Sequence, residues 1–346
     1  MHSGEHSCEI FVMRQPHYGD GRWTDSQMNT LRGWNILKET IERCGGHVIT
    51  DQAPTVRHKE QRNGMFVRDT GIVLDIGNGS KFYSSEKPGA ATRSEKRHVM
   101  RRLKKSGIAE TVYLPNSMDG GDTIYDPSRR ILFVGIKNYD YMLDVIEGLL
   151  HEKIAADTGP PTLAVKDHAQ RRQYAATSRG WLHAAKHKLH ASHETPVRVV
   201  GLFIPDHQAI DTYHLDGAFN VLPSGQSVWC PELLSNAARH LITTHFPSAE
   251  RHAVSRSEAQ AGATNFITVN KHIITPYAPF ALSESFARWG YKVVDPLQVG
   301  QETGTWNFGP GAYVRCATLK VTPDSGFPLR KLCNQSVRLE DSVFRQ

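Results

Sequence analysis

The sequence has no long apolar run, few cysteines and no low-complexity tract. No stretch approaches the roughly 18 consecutive apolar residues that a membrane-spanning helix needs, so no membrane role is expected. The opening residues, Met1-His2-Ser3-Gly4-Glu5-His6-Ser7, carry neither a basic stretch nor an apolar core, and no secretion signal is expected. The five cysteines are Cys8, Cys44, Cys230, Cys316 and Cys333; they are odd in number, far apart, and form no C-x-x-C. That pattern argues against a disulfide framework and against a zinc ribbon, and a reducing, cytoplasmic location is the expectation.

What is present is a chain of 346 residues, 39% hydrophobic and 22% charged, which is a globular composition. Length by itself suggests about two domains of ~150 residues. The net charge of +6 and a pI near 9.0 point toward anionic partners, but a soluble enzyme with a basic surface is the preferred reading. The basic residues concentrate in a helical stretch from about Thr92 to Lys105, with Arg93, Lys96, Arg97, Arg101 and Arg102 set against Glu95. A nucleic-acid footprint would interleave aromatics there, and none are present, so this reads as a solvated face and no nucleic-acid partner is expected.

A pattern recurs along the chain. Cys8 to Met13 reads as a first strand, Asp25 to Cys44 as a helix stopped by Gly45-Gly46, and His47-Val48-Ile49 as a short strand. Phe66 to Leu74 is strand-like, then Phe82-Tyr83-Ser84, then the Thr92–Lys105 helix. Asp119-Gly120-Gly121-Asp122 leads into Ile131 to Gly135 and a helix from about Tyr139 to His151. His214 to Leu222 leads to Ser227-Val228-Trp229 and a helix from about Pro231 to Thr243. Gly262 to Val269 leads to His272 to Thr275, a helix from about Leu282 to Trp289 and a strand at Tyr291 to Val294. A last strand begins at Cys316, and the N-terminal segment completes its unit.

Each unit reads as a polar or glycine-rich lead, strand, turn, strand and helix, often with a further strand. Units of this size cannot bury an apolar face alone, so repeats must stack or close around an axis. Five are present. The expected fold is α/β, five ββαβ units around one axis, forming a single domain over residues 1–346 and overriding the length-based estimate. Residues 152–195 break the pattern and read as a basic helical insertion. His183, His187 and His190 in it could share a helix face and a metal site is conceivable, but a solvated helix is the expectation.

Five converging leads would gather Asp69, Asp119 with Asp122, His214 with Asp216, Asn265 and Cys316 at the centre. Clustered carboxylates without a cation repel one another, so they imply a cationic ligand. A thiol can attack that cation, and an imidazole can move protons as acid and then base. A planar cation with an electrophilic carbon is a guanidinium, which paired carboxylates grip bidentately. Asp122 and Asn265 read as structural turn residues.

These residues resemble those of the guanidino-group-modifying enzymes, the five-bladed α/β propellers called penteins. The resemblance rests on Phe66-Val67-Arg68-Asp69-Thr70, Lys87-Pro88-Gly89-Ala90-Ala91-Thr92-Arg93, Asp119-Gly120-Gly121-Asp122, His214-Leu215 and Arg315-Cys316-Ala317-Thr318-Leu319. It covers nearly the whole chain outside 152–195. It is nearest to the dimethylarginine dimethylaminohydrolases, while His214-Leu215-Asp216 is more similar to arginine deiminases and amidinotransferases. The resemblance implies Cys316 as nucleophile, His214 as general acid and base, and Asp119 as the carboxylate that orients the histidine. It implies Asp69 and Asp216 at the guanidinium nitrogens, with Arg68 and Arg93 among the substrate-binding positions. No metal or organic cofactor is implied; the partner is a small guanidino substrate, and a homodimer is allowed. The chain departs from the dimethylargininase pattern at Lys137, where an arginine is expected, and at Trp306, Phe308 and Pro310, where glycines are. The implied activity is Cys-dependent hydrolysis of a guanidino carbon. The alternatives are amidino transfer from the same site and a propeller kept as a non-catalytic binding module.

Overall fold

The computed structural model describes residues 9–16, 24–51, 67–75, 80–85, 93–107, 110–114, 120–136, 198–204, 214–275, 277–296 and 314–321. In chain order the elements begin with β1 (Ile10–Arg14), α1 (Asp25–Arg43) and β2 (His47–Asp51). They continue with β3 (Ile72–Asp75), β4 (Ser80–Ser85), α2 (Arg93–Ser106) and β5 (Glu110–Leu114). Next come β6 (Thr123–Asp126), β7 (Ile131–Ile136) and β8 (Arg198–Phe203). The fourth group is β9 (Phe219–Val221), β10 (Ser227–Trp229), α3 (Asn236–His245) and β11 (Arg251–Ala253), followed by α4 (Arg256–Gln260). The last are β12 (Ile267–Val269), β13 (His272–Ile274), α5 (Phe280–Arg288), β14 (Lys292–Val294) and β15 (Leu319–Val321).

Among the described residues the strands form five three-stranded sheets with one shared pattern. In each, the middle strand pairs antiparallel with one neighbour and parallel with the other: β15-β1-β2, β3-β4-β5, β6-β7-β8, β9-β10-β11 and β12-β13-β14. The antiparallel partner can be joined by a tight turn, whereas the parallel one needs a crossover, and helices α1, α2, α3 and α5 supply it. The C-terminal β15 pairs with the N-terminal β1, Ile10 opposite Val321, so the two ends of the described chain complete one sheet.

Five turns precede the five sheets: Val67–Thr70 before β3, Gly120–Asp122 before β6, Leu215–Gly217 before β9, the residues around 262–265 before β12, and 314–317 before β15. Each turn is tied to the next. The Arg68 guanidinium donates to the Thr123 carbonyl. The Leu215 amide donates to Asp122 Oδ1 at 3.2 Å. Asn220 Nδ2 donates to the Thr264 carbonyl at 2.9 Å, the Arg315 amide donates to Asn265 Oδ1 at 2.9 Å, and the Arg68 amide donates to the Cys316 carbonyl at 3.2 Å. These five junctions close a ring. Burial between sheets follows the same order: one apolar cluster joins the third to fifth sheets, one joins the fifth to the first, and one joins the first to the second.

Local chemistry explains most elements. In α1 Trp34, Leu37 and Ile41 are buried on one face. The helix ends where Gly45 takes a φ of +85°, and the Gly46 amide reaches back to the Ile41 carbonyl, a C-terminal cap that suits glycine. The expected strand Phe66–Leu74 is instead a single tight turn at Val67–Thr70 followed by β3. Thr70 Oγ1 donates to the Val67 carbonyl at 2.6 Å, a local bond that competes with a sheet ladder. The helix expected from Pro231 divides into a turn at Pro231–Leu233 and α3, whose cap Ser235 accepts from the Ala238 amide. β11 and α4 went unforeseen: three residues carry too little periodicity, and α4 is one turn held by a Ser255–Glu258 capping box. Lys96 departs from the solvated basic face expected of α2, because its side chain is fully buried. The helix expected at Tyr139–His151 and the 152–195 insertion with His183, His187 and His190 lie outside the described residues. Among the described residues no helix is long and apolar enough to cross a membrane.

Candidate active site

The five turns bring charged residues together where burial would otherwise forbid them. Asp69, Asp216, His214, Arg68 and Cys316 are each less than a tenth exposed. Buried charges persist only when they face partners, so the cluster is a designed polar centre within an apolar ring.

Cys316 lies in the 314–317 turn, with Thr318 folding back: its amide donates to the Arg315 carbonyl at 3.2 Å and its hydroxyl to the Val314 carbonyl at 3.2 Å. The sulfur lies 3.9 Å from Asp216 Oδ2, to which a thiol can donate, and 3.6 Å from Asn265 Nδ2. His214 precedes the Leu215–Gly217 turn in extended conformation, and its Nδ1 lies 3.5 Å from Asp69 Oδ1. Its ring rests on Gly121: a Cβ there would come within 2.4 Å of Nδ1. Gly120 is needed for a different approach, since a Cβ on it would lie 2.0 Å from the Arg68 carbonyl oxygen. The Gly-Gly pair therefore lets two turns touch and gives the imidazole its seat.

Two arginines interact electrostatically with this cluster. Burial pulls the Arg68 guanidinium below its ordinary value, and Asp216, Asp69 and Cys316 push it back up. Burial also lowers Arg315, to about 9, with Arg68 adding to the fall and Asp216 and Cys316 opposing it. Arg315 donates to Asn220 Oδ1. Among the described residues no group of three histidines, cysteines or acids forms a metal cluster.

The expected site residues fare differently. Cys316, His214, Asp69 and Asp216 meet in one place, from three turns and the residue before one of them. Arg68 joins them, although its guanidinium also binds the Thr123 carbonyl and so holds the ring. Arg93 opens α2, and its side chain lies outside the described residues, as do Asp119, Lys137, Trp306, Phe308 and Pro310. Asp122 takes the structural part expected of it, accepting from the Leu215 amide. Asn265 needs correction: it does hold a turn, but its amide also reaches Cys316 Sγ. Asn220 and Arg315 were missed. Asn220 offered only a lone polar residue within an otherwise apolar strand; its full burial is a tertiary fact. Arg315 stands beside the cysteine but was not read on its own account.

The same architecture occurs in solved structures. The N-terminal domain of ArgZ, a cyanobacterial arginine dihydrolase captured with substrate as a cysteine-to-serine variant, superposes with a TM-score of 0.61 at 20% identity, over 91% of this chain and 98% of that one. A dimethylarginine dimethylaminohydrolase aligns with a TM-score of 0.53 at 16% identity, over 90% of this chain and 99% of that one. The chain has the pentein fold. A curated protein, the bifunctional arginine dihydrolase/ornithine cyclodeaminase AgrE of Nostoc sp., is 28% identical over 134 residues, which is 38% of this chain and 18% of the relative. The match thus spans under a fifth of that protein's length. No family model matches the chain.

Proposed function

We propose that this pentein is a cysteine-dependent hydrolase of a guanidino carbon, acting on arginine or an alkylguanidine. The observation that carries the reading is the meeting of a thiol, an imidazole and two carboxylates, with Cys316 Sγ 3.9 Å from Asp216 and His214 Nδ1 3.5 Å from Asp69. The relatives named for arginine dihydrolysis and dimethylarginine hydrolysis support the same substrate class.

In this mechanism Asp216 and Asp69 receive the planar cation, whose charge favours the Cys316 thiolate. The sulfur bonds to the guanidino carbon. His214, with Nδ1 turned to Asp69, protonates the departing nitrogen through Nε2, and an amine or ammonia leaves. An amidino-thioether stays on sulfur. His214 then takes a proton from water, the hydroxide adds to carbon, and the thiolate departs as a ureido product forms. Asp119 and Arg93 remain proposed members of the site, as orienting carboxylate and substrate-binding arginine. The whole chain, 1–346, is taken as one catalytic unit.

The test is product mass spectrometry on a panel of arginine, methylated arginines, agmatine, guanidinoacetate and alkylguanidines, with and without an acceptor amine. A ureido product made by the wild type and lost by about 10⁴-fold or more in Cys316→Ala supports hydrolysis. An amidino product seen only with the acceptor amine moves the assignment to amidino transfer. No turnover of any guanidino compound, with no adduct on Cys316, overturns the reading.

A further inference from the structure

Asn265 is buried, 1% exposed, in the turn before β12, and its side chain faces two ways. Oδ1 accepts from the Arg315 amide at 2.9 Å, while Nδ2 lies 3.6 Å from Cys316 Sγ. The orientation of this amide is fixed by chemistry. A backbone N–H can only donate, so the atom facing Arg315 is the oxygen and the atom facing sulfur is the nitrogen. A second asparagine fixes the position. Asn220 Nδ2 donates to the Thr264 carbonyl at 2.9 Å and to the Phe266 carbonyl at 3.0 Å, the two residues on either side of Asn265. Its Oδ1 accepts from the Arg315 guanidinium, so one side chain clamps both flanks of Asn265 and the residue before the cysteine.

The direction of the hydrogen bond decides its effect. A thiolate accepts an N–H far better than a thiol does, so a fixed donor favours the charged form. Asp216 Oδ2, 3.9 Å from the same sulfur, works the other way. We infer that Asn265 is a catalytic residue whose Nδ2–H holds Cys316 as a thiolate against the Asp216 carboxylate, with Asn220 as the positioning residue that aims it. The inference rests on the proposed role of Cys316 as nucleophile and names a partner for it.

The experiment follows alkylation of the Cys316-containing peptide by iodoacetamide across a pH series, which needs no substrate. Asn265→Ala removes both bonds without adding charge. Asn265→Asp keeps the acceptor for Arg315 and so preserves the turn should the alanine variant fail to fold. In Asn265→Ala alkylation near neutral pH should fall about fivefold to tenfold and the profile should move to higher pH, and in Asn265→Asp the added carboxylate should move it further the same way. Asn220→Ala should move it the same way by less. A merely structural role would lower the melting temperature and leave the profile in place, and an unmoved profile in folded Asn265→Ala or Asn265→Asp overturns the inference. A moved profile in a protein that turns over no guanidino compound keeps Asn265's role and removes the proposed substrate. An unmoved profile in an active enzyme does the reverse.

Discussion

The sheet bodies and the central turns of this protein bury their residues for opposite reasons. Between the third and fourth sheets Phe133, Phe219 and Phe246 pack together with ring centroids 5.0 to 5.8 Å apart, Phe219 edge-on to both others and Phe133 tilted against Phe246. At the centre Asp69, Asp216, Arg68 and His214 are also buried, but each faces a charge or a donor on another turn. Packing of the first kind depends on volume and tolerates exchange among residues of similar size. Packing of the second kind depends on which atom faces which, and tolerates little. Stability should therefore reside in the sheets and chemistry in the turns.

Mutation can break this contrast from either side. Phe133→Ala should cost about 3–5 kcal/mol of stability, through lost burial and a residual cavity among three rings. Denaturant unfolding would read that loss, while kcat of the molecules still folded should stay near wild type. A large fall in kcat would mean that the sheets and turns are not separable. Gly121→Ala should act in the opposite sense. Its Cβ would intrude to 2.4 Å from His214 Nδ1, so the ring must move, and about a hundredfold loss of kcat is expected with a smaller loss of stability. Steady-state kinetics on the substrate found in the panel would check it.

The smallest effect concerns acid. Burial holds the His252 imidazole below its ordinary value, with Glu258 opposing and Arg288 adding, and Nδ1 sits 2.8 Å from Ser285 Oγ. Burial holds His47 low as well, with Lys38 adding to it. Below about 6.5 the unfolded chain takes up protons that the folded imidazoles resist, so stability should drop as pH falls through that point and level off above it. His252→Asn should flatten this acid limb, narrowing the melting-temperature difference between acid and neutral pH by at most about 2 °C. An unchanged limb would assign the acid sensitivity to other groups.

Legibility followed signal length. The middle strands of the five units and the four crossover helices that lie among the described residues could be read because apolar spacing over many residues leaves a period, as with Trp34, Leu37 and Ile41 in α1. Three-residue β11 and the single turn of α4 leave none. The resemblance identified Cys316, His214, Asp69 and Asp216, and all four are brought together. The same reading took Asn265 for a turn residue only, passed over Asn220, and treated Lys96 as solvated, because a lone polar residue in sequence does not announce its partner.

The sequence alone determined the repeat and the chemical kinds assembled at the centre, since periodicity and residue type are local properties. Tertiary structure decided which of those residues touch. Residues 100 apart, as Cys316 and Asp216 are, meet only when the ring closes, and the closure rests on five hydrogen-bonded junctions between turns. A hydrogen bond depends on angstroms and on which atom donates, and neither quantity is written in the order of residues.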